Sequence, residues 1–105
     1  EIFGDGSQTR TFLYADDNIE FTYECLFNDA TVNKVINVGS DVEISIKSLA
    51  EIIISELNSK SKIKFLDPLA KGDMTRRKPD NQLFRELFSK DLTSIVDGIN
   101  KFKVK

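Results

Sequence analysis

The apolar residues of this chain come in short bursts, separated by longer stretches in which they recur every three or four positions. Ile2-Phe3, Thr11–Tyr14, Lys34–Val38 and Ile63–Leu66 are the bursts. Each is too short for a helix and rich in β-branched or aromatic side chains, so each predicts extended chain. Between them, a helix is expected over 17–28, capped by Asp16 or Asp17, with Ile19, Tyr23, Leu26 and Phe27 at helical spacing. A second starts at Ser45 or Ser48, with Ser48 and Glu51 spaced as a capping box and a stripe of Ile46, Leu49, Ala50, Ile53 and Leu57. Asp67-Pro68 stops the last burst and opens an irregular region over 67–79. Asp80 then caps a helix through Leu87 with Leu83, Phe84 and Leu87 inward. A final helix over 94–103 carries Ile95, Ile99 and Phe102, with Ser94 and Asp97 as a further capping box.

Strand, helix, strand, helix, strand, loop, helix, helix is an α/β order, with few short strands and about four helices. Lys34–Val38, ending at Gly39, has the character of a parallel strand covered on both faces, and such a strand needs a neighbour on each side. The chain is either a small self-sufficient α/β domain or the tail of a larger α/β protein whose main parallel sheet is missing.

Charge and chemistry narrow the function. A net charge of −2 argues against a broad nucleic-acid-binding surface. No apolar run approaches the length of a membrane span. The single cysteine, Cys25, fits a reducing, cytoplasmic setting. With no histidine, the chain lacks the commonest general base and the usual zinc ligand, so self-contained catalysis is not expected.

Two basic features remain. Arg10 lies between Thr9, Thr11 and Phe12, just after the turn Gly4-Asp5-Gly6-Ser7. It is there either to pair with a carboxylate, Asp5 or Asp17, or to present its planar fork to phosphate oxygens. Arg76-Arg77-Lys78 is the one dense basic cluster, and Pro79 holds Lys78 extended. It is either a solvated run offsetting Asp73 and Asp80, or an anion clamp converging with Arg10 on a diphosphate. Phe3 is a core residue or a stacking platform for a nucleobase. Gln8 is a turn residue or a ligand contact.

Phe3-Gly4-Asp5-Gly6-Ser7-Gln8-Thr9-Arg10-Thr11-Phe12, Tyr14-Ala15-Asp16-Asp17, Val35-Ile36-Asn37-Val38-Gly39 and Arg77-Lys78-Pro79-Asp80 run in order along the chain. Together they resemble the C-terminal part of the extended short-chain dehydrogenase/reductases that act as nucleotide-sugar epimerases, dehydratases and decarboxylases. The closest subgroup is the UDP-glucuronate decarboxylase and dTDP-glucose 4,6-dehydratase-like set. Leu87-Phe88-Ser89 departs from the family's Leu-Gly-Trp, and Gly72-Asp73-Met74 from its Asp-Asp-Pro.

The resemblance implies that residues 1–105 are a C-terminal nucleotide-sugar-binding segment, with the NAD-binding Rossmann domain outside this chain. It implies substrate-binding roles for Arg10 and Arg77 at the diphosphate, and for Phe3 and Gln8 near the nucleotide. It implies a structural, helix-capping role for Asp17. NAD is the cofactor implied for the complete protein and none for this chain. Neither the family's glycine fingerprint nor its Tyr-x-x-x-Lys pair is present, since Tyr14 is followed four positions on by Asn18 and Tyr23 by Phe27. The expected partners are a nucleotide-diphosphate sugar, the missing N-terminal domain and, for the complete protein, a second copy as a homodimer; neither nucleic acid nor membrane is among them. The chain alone is expected to lack turnover. The rival expectations are a non-catalytic binding or interaction module with a small α/β fold, and a generic anion-binding domain.

Overall fold

The computed structural model describes residues 1–70, 72 and 74–103; Asp73, one of the charges in the 67–79 region, lies outside the described residues. In chain order the elements are β1 (Ile2–Phe3), β2 (Thr9–Thr11), α1 (Ala15–Leu26), β3 (Glu43–Ser45), α2 (Ile46–Glu56), β4 (Phe65–Leu66), α3 (Gln82–Leu87) and α4 (Ile95–Lys103), with a 3-10 turn at Asp29–Thr31. This is a small α/β arrangement of four α-helices and a few short strands. β1 pairs in parallel with β4, and β2 pairs antiparallel with β3. No described helix is long and apolar enough to cross a membrane.

Sequence explains much of this locally. Gly4 and Gly6 hold φ of +73° and +76°, the left-handed turn that returns the chain from β1 to β2. Gly6 also admits a close neighbour: a Cβ there would stand 2.9 Å from Lys47 Cβ. The Ser45 hydroxyl accepts from the Ser48 N–H, capping α2 at the earlier of the two candidate serines. Ser94 accepts from the Asp97 N–H, half of the expected capping box, while the Asp97 carboxylate accepts from the Ser94 hydroxyl.

Burial is concentrated in one place. Phe21 of α1 meets Phe84 and Phe88 edge-to-face, with ring centroids 4.7 and 5.6 Å away, while Phe84 and Phe88 stack at 5.5 Å. Cys25, Ile36, Val38, Leu87 and Leu92 pack around the three rings. Beyond this cluster the molecule is thin. Its principal extents are 48 × 38 × 16 Å. Its radius of gyration is 16.4 Å, against about 13 Å for a compact domain of this size.

Three expectations are corrected. Lys34–Val38 is not a strand: among the described residues its backbone groups from Val35 to Val38 meet no neighbouring chain, and Val35 is 94% exposed. Ile36 and Val38 nevertheless turn inward while Val35 and Asn37 are exposed, so over 35–38 the period of a strand is kept without a partner. The stripe Ile19, Tyr23, Leu26 and Phe27 faces solvent, because α1 is apolar on two sides and the narrower side, Phe21 and Cys25, meets the rings of α3. Asp17 does not cap α1, whose N-cap position is Tyr14. It lies buried in the first turn and accepts from the Thr93 N–H at 2.7 Å and the Thr93 hydroxyl at 3.0 Å.

The start of α3 is shared between two residues. Asp80 accepts from the Gln82 N–H, while Asn81, the N-cap residue, sends its side-chain amide to the Gly39 carbonyl at 2.9 Å. The ring cluster predicts that Phe84→Ala loses about 3–5 kcal/mol of stability, while Tyr23→Ala stays within about 0.5 kcal/mol. Urea unfolding followed by far-UV circular dichroism checks both. A larger loss at Tyr23 than at Phe84 would reverse the assignment of α1's buried face.

Candidate functional site

β2 is the centre of the candidate site. β3 lies on one edge, in the register Thr9↔Ser45, Arg10↔Ile44, Thr11↔Glu43. On the other edge Thr9 makes a parallel bridge with Arg76, its N–H donating to the Thr75 carbonyl at 2.9 Å and its carbonyl accepting from the Arg77 N–H at 3.4 Å. The end of the long irregular region is thus laid against β2 as a short strap. Alternation along the chain puts Thr9, Glu43 and Arg76 on one face and directs Arg10 and Arg77 to the other.

On the first face Glu43 accepts from Arg76 Nε at 2.6 Å and Arg76 Nη2 at 2.7 Å, a bidentate pair, and from the Thr9 hydroxyl at 3.1 Å. The hydrogen bonds from Arg76 hold the Glu43 carboxyl down to about 2, from an ordinary value of 4.5. The same contacts raise the Arg76 guanidinium further above its ordinary range.

Arg10, Thr11, Met74, Arg76, Arg77, Lys78 and Pro79 line an open cleft of about 540 Å³, within the range of small-molecule sites. Among the described residues no carboxylate lines it. Arg10 Nη1 donates to the Thr9 carbonyl at 2.8 Å. Arg77 Nε donates to the Met74 thioether at 3.2 Å, a weak acceptor, and Arg77 makes no ion pair among the described residues. Pro79 is seated by Gly39, where a Cβ would stand 2.8 Å from Pro79 Cγ. The Asn37 amide adds a hydrogen bond to the Asp80 carbonyl at 3.1 Å, so the far end of the strap is anchored too.

Arg10 and Arg77 are therefore brought together. Phe3 and Gln8 do not line this cleft: Phe3 is in β1, 46% exposed, and the Gln8 side chain donates to the Phe3 carbonyl at 3.0 Å, bracing the turn. Of the carboxylates considered as partners for Arg10, Asp5 accepts from the Ser7 N–H and Asp17 from Thr93. Sequence reasoning missed Glu43 and Thr9, whose part in the site depends on contacts with a segment more than thirty residues further along. Among the described residues no cluster of His, Cys, Asp and Glu could hold a metal ion.

No protein-family model matches the chain. It is 32% identical over 101 residues to UDP-glucuronic acid decarboxylase 1 of Danio rerio, a match covering 95% of this chain and 23% of that protein. It is 36% identical over 92 residues to the UDP-N-acetyl-alpha-D-glucosaminuronate decarboxylase of Bacillus cytotoxicus, covering 82% of this chain and 28% of the relative. Among solved structures, the UDP-glucuronic acid 4-epimerase of Bacillus cereus in complex with UDP-glucuronic acid and NAD superposes with a TM-score of 0.79 at 30% identity, covering 94% of this chain and 32% of that one. The chain spans about a quarter to a third of the length of these relatives.

The depressed Glu43 carboxyl gives a signed pH dependence. Its contribution to stability is fully present above the ordinary carboxyl value and is lost as pH falls toward about 2. The difference in thermal midpoint between the unsubstituted protein and Glu43→Gln should be constant from neutral pH down to about 5 and close below that. Melting curves at stepped pH read it, and a gap that survives undiminished at pH 2 contradicts the assignment.

Proposed function

We propose that this chain, which corresponds to the C-terminal part of the extended short-chain dehydrogenase/reductase nucleotide-sugar epimerases and dehydratases, grips the diphosphate of a nucleotide sugar. The observation that carries the reading is the convergence of Arg10 and Arg77, from opposite ends of the sequence, in one cleft that Lys78 also lines. A guanidinium offers paired donors in a plane that matches phosphate oxygens, and two set side by side suit a diphosphate. The relatives and structural neighbours named above act on or hold UDP-linked sugars by their names, which makes UDP the first nucleotide to test.

Holding the phosphates fixes the remote end of the substrate, and binding energy realised there orients the reacting sugar. Among the described residues, the glycines do not make the turn of an NAD fingerprint. Gly4 and Gly6 turn into a strand rather than a helix N-terminus, and Gly6 is closed over by Lys47. Hydride chemistry and the catalytic base belong, on this reading, to an NAD-binding domain outside this chain.

The uncovered surfaces support a segment of a larger enzyme over a free-standing module. The apolar stripe of α1 is exposed, and 35–38 keeps strand alternation with no strand beside it. The proposal extends to a complete protein that works in the cytoplasm as a homodimer. The isolated chain is expected to show no turnover of a nucleotide sugar with added NAD.

Titration calorimetry tests the grip. Arg10→Ala and Arg77→Ala should each lose roughly 1.5–3 kcal/mol of UDP binding, as for a charged hydrogen bond. Unchanged affinity in both variants sinks the proposal. Equal, weak binding of UDP, dTDP and inorganic phosphate would instead favour a generic anion site.

A further inference from the structure

We infer that Glu43 is a positioning residue for the cleft: through Arg76 and Thr9 it holds the strap against β2 and so sets Arg77 beside Arg10. The inference rests on the diphosphate reading for its ligand, but its geometry stands apart from it. The strap joins β2 through the Thr9–Thr75 and Arg77–Thr9 main-chain hydrogen bonds, the second of them long at 3.4 Å. Two main-chain hydrogen bonds at the edge of a three-residue strand are a weak hinge. Glu43 supplies what they lack. It sits on the opposite edge of the ribbon and spans β2 by accepting from the Thr9 hydroxyl on the way to Arg76. One carboxylate thereby ties all three strips of backbone together.

The pairing also sorts the cations. Arg76 spends its Nε and one terminal nitrogen on Glu43, so it lines the cleft beside Arg10, Arg77 and Lys78 as a cation already tied to a carboxylate. Without Glu43, the charge of Arg76 would no longer be offset beside its neighbours in the strap, and like charges repel at such spacing. The near end would then rest on its two main-chain hydrogen bonds alone and open more readily, while the far end stays secured by Pro79 against Gly39 and by Asn37 on Asp80.

The test uses Glu43→Gln and the reversed pair Glu43→Arg with Arg76→Glu. Affinity for UDP is measured by calorimetry well below each variant's thermal midpoint, and hydrogen exchange is followed at the Arg77 amide. Glu43→Gln should weaken UDP binding at least tenfold and speed Arg77 exchange at least tenfold, and the reversed pair should bring both most of the way back. A lowered thermal midpoint with unchanged UDP affinity would mark Glu43 as structural only and overturn the inference. So would tighter UDP binding in Glu43→Gln, because Arg76 would then be a ligand held in reserve. If the unsubstituted protein binds no UDP, the diphosphate reading fails, and the exchange comparison judges Glu43 by itself.

Discussion

This fold has almost no second layer. Helices and sheets ordinarily hide an apolar face against another layer, yet here one cluster of three phenylalanine rings, Phe21, Phe84 and Phe88, supplies most of the full burial among the described residues. Several longer-range arrangements are held by something more directional. Asp17 on Thr93, Asn81 on Gly39 and Glu43 on Arg76 join segments far apart in sequence. Hydrogen bonds add little net free energy, about 0.5–1.5 kcal/mol each, but they select a register that loose packing would leave open. The chain is organised by polar ties around a small aromatic pivot.

The parts legible in the sequence are those decided within a few residues. The caps of α2 and α4 depend on Ser45 and Ser94 and the amides that follow, and the turn before β2 depends on Gly4 and Gly6. The parts that were not legible depend on distant partners. Whether Lys34–Val38 becomes a strand turns on the presence of a neighbour, which its own residues cannot express. Helix α1 carries two apolar sides, and only the spacing of Phe84 in α3 and Phe88 just after it chooses Phe21 over Tyr23. Asp17 has the composition of a cap but finds Thr93 near the other end of the chain.

The candidate site shows the same division. Arg10 and Arg77 stood out by residue type and by their place beside a turn and a proline. What sets them together is main chain, the parallel bridge of Thr9 with Arg76, and such a bridge has no signature in composition. Glu43 was invisible for a further reason: an acidic residue two positions before a helix cap looks like ordinary solvated surface until its partner is known. Gln8, read as a turn residue or a ligand contact, braces the glycine turn through the Phe3 carbonyl, while the ligand roles of Phe3 and Gln8 came from the resemblance and not from their own spacing.

The 16 Å depth of the molecule has an electrostatic consequence. No point inside such a slab lies further than about 8 Å from a face, roughly one Debye length at physiological salt. Arg76 and Arg77 are exposed and Arg10 is half-buried, so their pull on an anion works at high effective dielectric and weakens as salt is added. Burying either face under another layer would strengthen that pull without moving a single residue of the cleft.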